Sequence, residues 1–109
     1  MAARYILSRS GIQYRFVLKA GNGETILTSE LYTTKQNALG GISSVRLNSP
    51  IDARYERKNA TNGLPMFNLK GSNGERIGTS EQYSSTTSRE AGIQSVKTNG
   101  PSAPVDDQT

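Results

Sequence analysis

The chain predicts an α+β fold in which two tandem β3-α units build one antiparallel sheet with two helices on one face, related by a pseudo-two-fold axis. Three observations carry that expectation. Residues 16–50 and 67–101 align without a gap at a constant offset, with about half of the positions identical, the mark of an internal duplication. Within each copy, apolar residues first alternate with polar ones, as in a half-buried strand, and then recur at helical spacing. The length of 109 residues makes one ordinary domain, whereas half of it would have a marginal core alone. A single domain 1–109 is therefore expected, with repeats at 4–50 and 54–101 and a tail at 102–109.

Each repeat opens with a hairpin. Tyr5 to Ser8 leads through Ser10-Gly11 into Tyr14 to Lys19, and Tyr55 to Lys58 leads through Asn62-Gly63 into Met66 to Lys70. Their aromatic and aliphatic residues at a period of two read as strands. The second turn is one residue longer, which shifts the offset between the first strand and the rest. Asn22-Gly23 and Asn73-Gly74 then predict tight type I′ turns, followed by third strands at Glu24 to Ser29 and Glu75 to Ser80. The hydroxyl pairs Thr33-Thr34 and Ser84-Ser85 are natural N-caps. Ala38, Ile42 and Val45, and Ile93 and Val96, continue at helical spacing to Asn48 and Asn99, each followed two residues later by proline. Gly41 and Gly92 sit mid-helix, where glycine costs about 1 kcal/mol against alanine, so a close helix-to-sheet approach is expected at both. Ser49-Pro50-Ile51-Asp52 is too short for a flexible linker. In the tail, Pro104-Val105-Asp106 can add a short edge strand.

Composition bounds the chemistry. There is no histidine and no cysteine, so cysteine- or histidine-based nucleophiles, thiolate or imidazole metal sites and disulfides are unavailable. No nucleotide-binding glycine pattern exists. An enzyme is not expected, nor are catalytic residues, a cofactor or a metal. The apolar runs are far shorter than the roughly 20 residues of a membrane span and no signal-peptide core follows Met1, so a cytoplasmic protein without membrane contact is expected. The net charge is +4 with a pI near 9.6, compatible with polyanion binding and equally with ordinary solubility.

The motifs Phe-x-Leu-Lys (Phe16, Phe67), Asn-Gly-Glu (Asn22, Asn73), Thr-Ser-Glu-x-Tyr (Thr28, Thr79) and Gly-Ile-x-Ser-Val (Gly41, Gly92) recur in order. Their twice-used pattern resembles the YegP-like family of small bacterial proteins. The resemblance implies a β3-αβ unit used twice, with the strand after each helix exchanged between halves, as single-repeat members do in homodimers. It implies no activity. A monomer with an internal pseudo-dimer is the corresponding expectation.

Two groups of residues are candidates for function. By strand alternation, Tyr14, Phe16, Leu18, Phe67, Leu69, Ile26 and Ile77 face the helices. Arg15, Lys19, Arg54, Lys58, Lys70 and Arg76, together with Thr25, Val17, Leu27, Met66 and Asn68, face away. That opposite face is a mildly basic sheet, suited to nucleic acid or another polyanion, although it lacks aromatic platforms and a solvated sheet carries such residues anyway. The second group is the polar cluster Thr28, Ser29, Glu30 and Tyr32 with its counterparts Thr79, Ser80, Glu81 and Tyr83. It spans the strand-to-helix turns and either holds the turn or lines a groove between repeats. A protein partner, bound through a sheet edge or that groove, is the alternative to a polyanion. Pro65, Met66 and Asn68 break the repeat symmetry.

Overall fold

The computed structural model describes residues 2–109. The first repeat gives β1 (Arg4–Ser10), β2 (Gln13–Lys19), β3 (Thr25–Ser29) and α1 (Lys35–Asn48). A single 3₁₀ turn at Asp52–Arg54 leads to β4 (Tyr55–Asn59), β5 (Pro65–Lys70), β6 (Arg76–Thr79), α2 (Thr86–Asn99) and β7 (Val105–Asp107). The strands form one sheet in the order β4-β5-β6-β3-β2-β1-β7. The repeats meet where β3 and β6 run antiparallel, with Thr28 opposite Thr79 and Ser29 opposite Gly78.

The helices start where the sequence supplies caps. Thr34 and Ser85 accept hydrogen bonds from the Asn37 and Ser88 amides through their side-chain oxygens, satisfying donors that a first turn leaves unpaired. Both helices lie on the same face and cross the seam: α1 rests on β2 and reaches β5 and β6, whereas α2 rests on β5 and reaches β3. The shared core holds Tyr5, Leu7, Phe16, Leu18, Phe67 and Leu69 from the sheet, Ala38, Ile42 and Val45 from α1, and Ile93 and Val96 from α2. Burying such side chains fully contributes about 1.5–3 kcal/mol each, and both repeats supply them to one cluster.

Local geometry departs from the sequence expectation at three places. Leu27 is fully buried rather than turned outward, because the register slips between Leu18 and Lys19, leaving Leu18 opposite Leu27 but Lys19 opposite Thr25. The bulge puts consecutive residues Ile26 and Leu27 on the helix side; the second copy has the same slip, with Leu69 opposite Gly78 and Lys70 opposite Arg76. The turns before β3 and β6 are not type I′. Only Gly23 and Gly74 have positive φ, 85° and 82°, and the bonds Gly23 N–H to Ala20 O and Ala20 N–H to Glu24 O describe a three-residue loop whose last residue alone is left-handed. Asn22 and Asn73 instead accept the Glu24 and Glu75 amides with their side-chain oxygens, 3.0 Å each.

The third departure concerns the strands after the helices. β7 crosses to the first repeat and pairs with β1 in parallel, Tyr5 opposite Val105 and Leu7 opposite Asp107, so the sheet is mixed at that edge. After α1 the matching segment adds no separate strand, because residues 49–54 run through the 3₁₀ turn directly into β4, which pairs with β5.

Two tyrosines clasp the halves. The Tyr5 hydroxyl donates to Gly100 O at the end of α2, 2.6 Å, and the Tyr55 hydroxyl donates to Ser49 O at the end of α1, 2.7 Å. Gly100 and Ser49 are equivalent positions and lie in contact, so that a Cβ on Gly100 would strike Ser49 Oγ, a buried hydroxyl without a partner among the described residues. Burial pushes both phenols well above the usual tyrosine value of about 10. A folded-state pKa raised above the unfolded one gives stability that is complete below pH 10 and lost as pH rises beyond it. The melting temperature should therefore fall steeply above pH 10, and the Tyr5→Phe, Tyr55→Phe double variant, though less stable at neutral pH, should show a shallower alkaline fall.

Candidate interaction surfaces

The face away from the helices gathers only part of the predicted basic set. Arg15 is exposed and Lys19 half-buried on β2, with Lys58 and Lys70 on β4 and β5. β2 and β5 are separated by β3 and β6, three strand spacings or about 14 Å, so the cations form two clusters rather than a stripe. Lys70 is committed to Glu56, 3.2 Å. Arg54 leaves the set: it lies in the 3₁₀ turn, not on a strand, and its Nε donates to Asn48 Oδ1 at 2.9 Å. Arg76 leaves it too, pairing with Glu30 at 2.8 Å in a groove on the helix side. Among the described residues, Arg15, Lys19 and Lys58 carry no ion pair.

Asn68 is 3 % exposed and ties three strands together. Its Nδ2 donates to Glu56 Oε1 and its Oδ1 accepts the Thr79 hydroxyl, 2.9 Å each. Bonds from Asn68 and Lys70 hold the Glu56 carboxyl below the usual range. The equivalent positions in the first repeat are Ile6, Val17 and Thr28, so the symmetry break at Asn68 is a polar strut that fixes β4 to β5 and β6.

The Thr-Ser-Glu-x-Tyr clusters divide into three roles. Thr28 and Thr79 face each other across the seam. Ser29 and Ser80 are buried, where each hydroxyl accepts the amide of Phe16 or Phe67 at 2.9 Å and donates to the carbonyl of Glu30 or Glu81 at 2.7 Å; they replace ladder bonds and are structural. Glu30 and Tyr32 line one groove, and Tyr83 the other, with Glu81 beside it in an adjoining hollow. Each groove sets the helix of one repeat against the β2–β3 or β5–β6 hairpin of the other. The first, about 400 Å³, lies between Tyr32, Gly41 and Ser44 and Asn73, Glu75 and Arg76. The second, about 640 Å³, lies between Tyr83, Gly92 and Ser95 and Asn22, Glu24 and Ile26. A Cβ on Gly41 or Gly92 would collide with the Tyr32 or Tyr83 hydroxyl, which explains the mid-helix glycines. Burial, and secondarily Glu30, raises the Tyr32 phenol; burial, then Glu81 and Glu24, raises that of Tyr83. Thr25 stands where the second repeat has Arg76, so the second groove lacks the cation that pairs with Glu30 in the first.

The sheet has two edge strands, β4 and β7, and β4 is the longer stretch of open backbone. In β4, Arg57 lies opposite Phe67 and Asn59 opposite Pro65. Phe67 spends its amide on Ser80 Oγ and its carbonyl on the Ser80 amide, 2.9 Å each; Pro65 has no N–H, and its carbonyl takes the Tyr83 amide at 2.8 Å. Arg57 and Asn59 therefore turn their own N–H and C=O away from β5. Among the described residues nothing meets them. The Arg57 side chain is occupied with Asp52 and Glu90, 2.9 and 3.0 Å. Bonds from Arg57 and Lys97 hold the Asp52 carboxyl at about 2.

The two halves separately match the model of the domain of unknown function DUF1508, over residues 10–56 and 60–107. The chain belongs to this family. Its DUF1508 relatives include the UPF0339 protein YegP of Escherichia coli K12, 59% identical over 110 residues with both chains fully covered. Another is a UPF0339 protein of Bordetella pertussis, 53% identical, covering all of this chain and 98% of the relative. The solution NMR structure of the E. coli protein superposes with a TM-score of 0.93 over 100% of this chain and 95% of that one. That of the UPF0339 protein from Shewanella oneidensis, 56% identical, gives 0.91 over 98% and 92%.

The first DUF1508 unit ends inside β4 and the second in β7. The same segment of the unit is thus an antiparallel partner of β5 in one copy and a parallel partner of β1 in the other. Sequence reasoning named a sheet edge without locating it. The signal was the short joint at residues 49–52, which leaves no chain to cover β4. Among the described residues no helix is long and apolar enough to cross a membrane.

Proposed function

We propose that the protein is a monomeric, non-catalytic interaction module that recognises a protein partner by adding one of the partner's strands to the β4 edge. The observation that carries this function is the outward backbone of Arg57 and Asn59, unpartnered among the described residues, on the longer of the two edge strands. Main-chain bonds supply the affinity of such strand addition, and a binding role of this kind needs none of the chemistry that the composition withholds. Natural sheets protect open edges from one another with charge, and Arg57 and Lys58 give β4 that protection against its own kind while leaving the backbone accessible.

A proline at position 57 removes the outward N–H without touching the β4–β5 ladder, since edge strands accept proline on the solvent side. Immobilised Arg57→Pro should lose the partners that wild type and Arg57→Ala retrieve from a cell extract; the alanine variant shares the loss of the side chain but keeps the N–H. Equal retrieval by the proline variant would refute the edge as the binding surface. A second function is supported by the unpaired cations Arg15, Lys19 and Lys58, namely contact with nucleic acid or another polyanion. In that case retrieval would be nuclease-sensitive, kept by Arg57→Pro and lost in an Arg15→Glu, Lys19→Glu variant, with a steep dependence on salt.

A further inference from the structure

We infer that the β4 edge takes an acidic, extended segment laid parallel to β4, in the manner in which β7 lies on β1; the inference rests on the edge function proposed above and names the partner's chemistry. β1 and β4 are equivalent strands of the pseudo-two-fold, each placing a tyrosine hydroxyl on the end of the other repeat's helix. On β1 the outer side is filled: Tyr5 N–H donates to Pro104 O and Gln108 N–H donates to Leu7 O, 2.8 Å each. Two acids hold the added strand, Asp107 on Lys35 at 2.6 Å and Asp106 near Arg4 at 3.9 Å. On β4 the corresponding side is open for a topological reason, because the residues after α1 that would supply the strand are consumed in reaching β4 itself.

Charge selects the occupant. Around the edge, Asp52 is already bonded by Arg57 and Lys97, and Glu56 by Lys70 and Asn68. Arg54 and Lys58 flank the edge with no carboxylate partner among the described residues. The charge left over is positive, as at Arg4 and Lys35 beside β7. A second copy presenting its own β4 would set Lys58 and Arg57 against the same cations, so self-pairing of these edges is opposed, and an acidic strand is favoured. The register differs from that of β7 by one step. Tyr55 N–H, equivalent to the Tyr5 N–H that β7 uses, already donates to Asp52 O, so the incoming strand bonds to Arg57 and Asn59 and sits toward the Lys58 end.

The test is an amide-resolved NMR titration of the full chain with two synthetic peptides: the octapeptide Ser102 to Thr109, and the same peptide with both aspartates replaced by lysine. The acidic peptide should shift the Arg57 and Asn59 amides and slow their solvent exchange, the lysine peptide should leave both unmoved, and Arg57→Pro should lose the response at Asn59. Equal shifts at β4 with both peptides would overturn the acidic partner while leaving strand addition intact. Shifts confined to Tyr5 and Leu7, showing displacement of β7, or no shift with either peptide, would overturn the inference. So would concentration-dependent broadening of Arg57 in protein alone, which would make a second copy the occupant.

Discussion

Phe67→Ala is expected to cost about 3–5 kcal/mol, a large part of the roughly 5–15 kcal/mol that holds a domain of this size together. The ring is fully buried and is the middle member of an aromatic trio: Tyr55 meets it edge-on at 5.6 Å and Tyr83 stacks on it at 6.3 Å. Phe16 stands in the same relation to Tyr5 and Tyr32, at 5.9 and 6.2 Å. Truncation removes the transfer energy of one ring, opens a cavity beneath α2 and forfeits the aromatic pair terms of about 0.5–1.5 kcal/mol each. Urea denaturation should show the midpoint falling with little change in slope, and Phe67→Leu should lose less than half as much. A drop below about 1.5 kcal/mol for the alanine variant would mean that the second repeat is not part of the shared core.

The seam between repeats offers the second large effect. Gly78 and Leu27 are equivalent positions, and a Cβ on Gly78 would lie 2.9 Å from Leu27 Cγ and 3.0 Å from Thr28 O, so the leucine occupies the space of both. Gly78→Leu overpacks the seam and is expected to cost about 1–3 kcal/mol or more. Leu27→Gly empties it, at about 2–5 kcal/mol for the lost side chain and more for added backbone freedom. The double variant restores one leucine and one glycine on exchanged sides of the pseudo-axis. It should therefore recover well over half of the summed loss, a coupling far beyond the few tenths of a kcal/mol of independent sites. Additive losses in the double-variant cycle would show that the two positions do not share one space.

Much of this architecture was legible in the residues, since duplication, alternation and caps all act locally. Thr34 and Ser85 announce the helix starts because an N-cap needs only its own hydroxyl and an amide three residues on. What escaped depends on pairing between distant strands. Leu27 reads as outward by strict alternation, and only the register slip at Leu18, set by the hairpin at Ala20–Glu24, turns it inward. Asn-Gly predicts a two-residue turn, yet the asparagine spends its side chain on the Glu24 amide and leaves the left-handed position to glycine alone. Arg54 reads as a strand residue by its place before Tyr55 and falls instead in a 3₁₀ turn. The candidate surfaces were less legible than the fold, because Arg76 and Lys70 meet their carboxylates through tertiary contacts, and an open strand edge has no side-chain signature.

The Leu27–Gly78 pair also bears on what a joined chain can do that two identical subunits cannot. A position that lies on a true two-fold axis faces its own copy, so there leucine would confront leucine or glycine would confront glycine, one arrangement too full and the other hollow. A large-and-small match on the axis requires the two sides to carry different residues, which two identical chains cannot do and one joined chain can. The same freedom is visible at Val17 and Asn68 and at Thr25 and Arg76, so the linker that removes the concentration dependence of assembly also releases each half from mirroring the other.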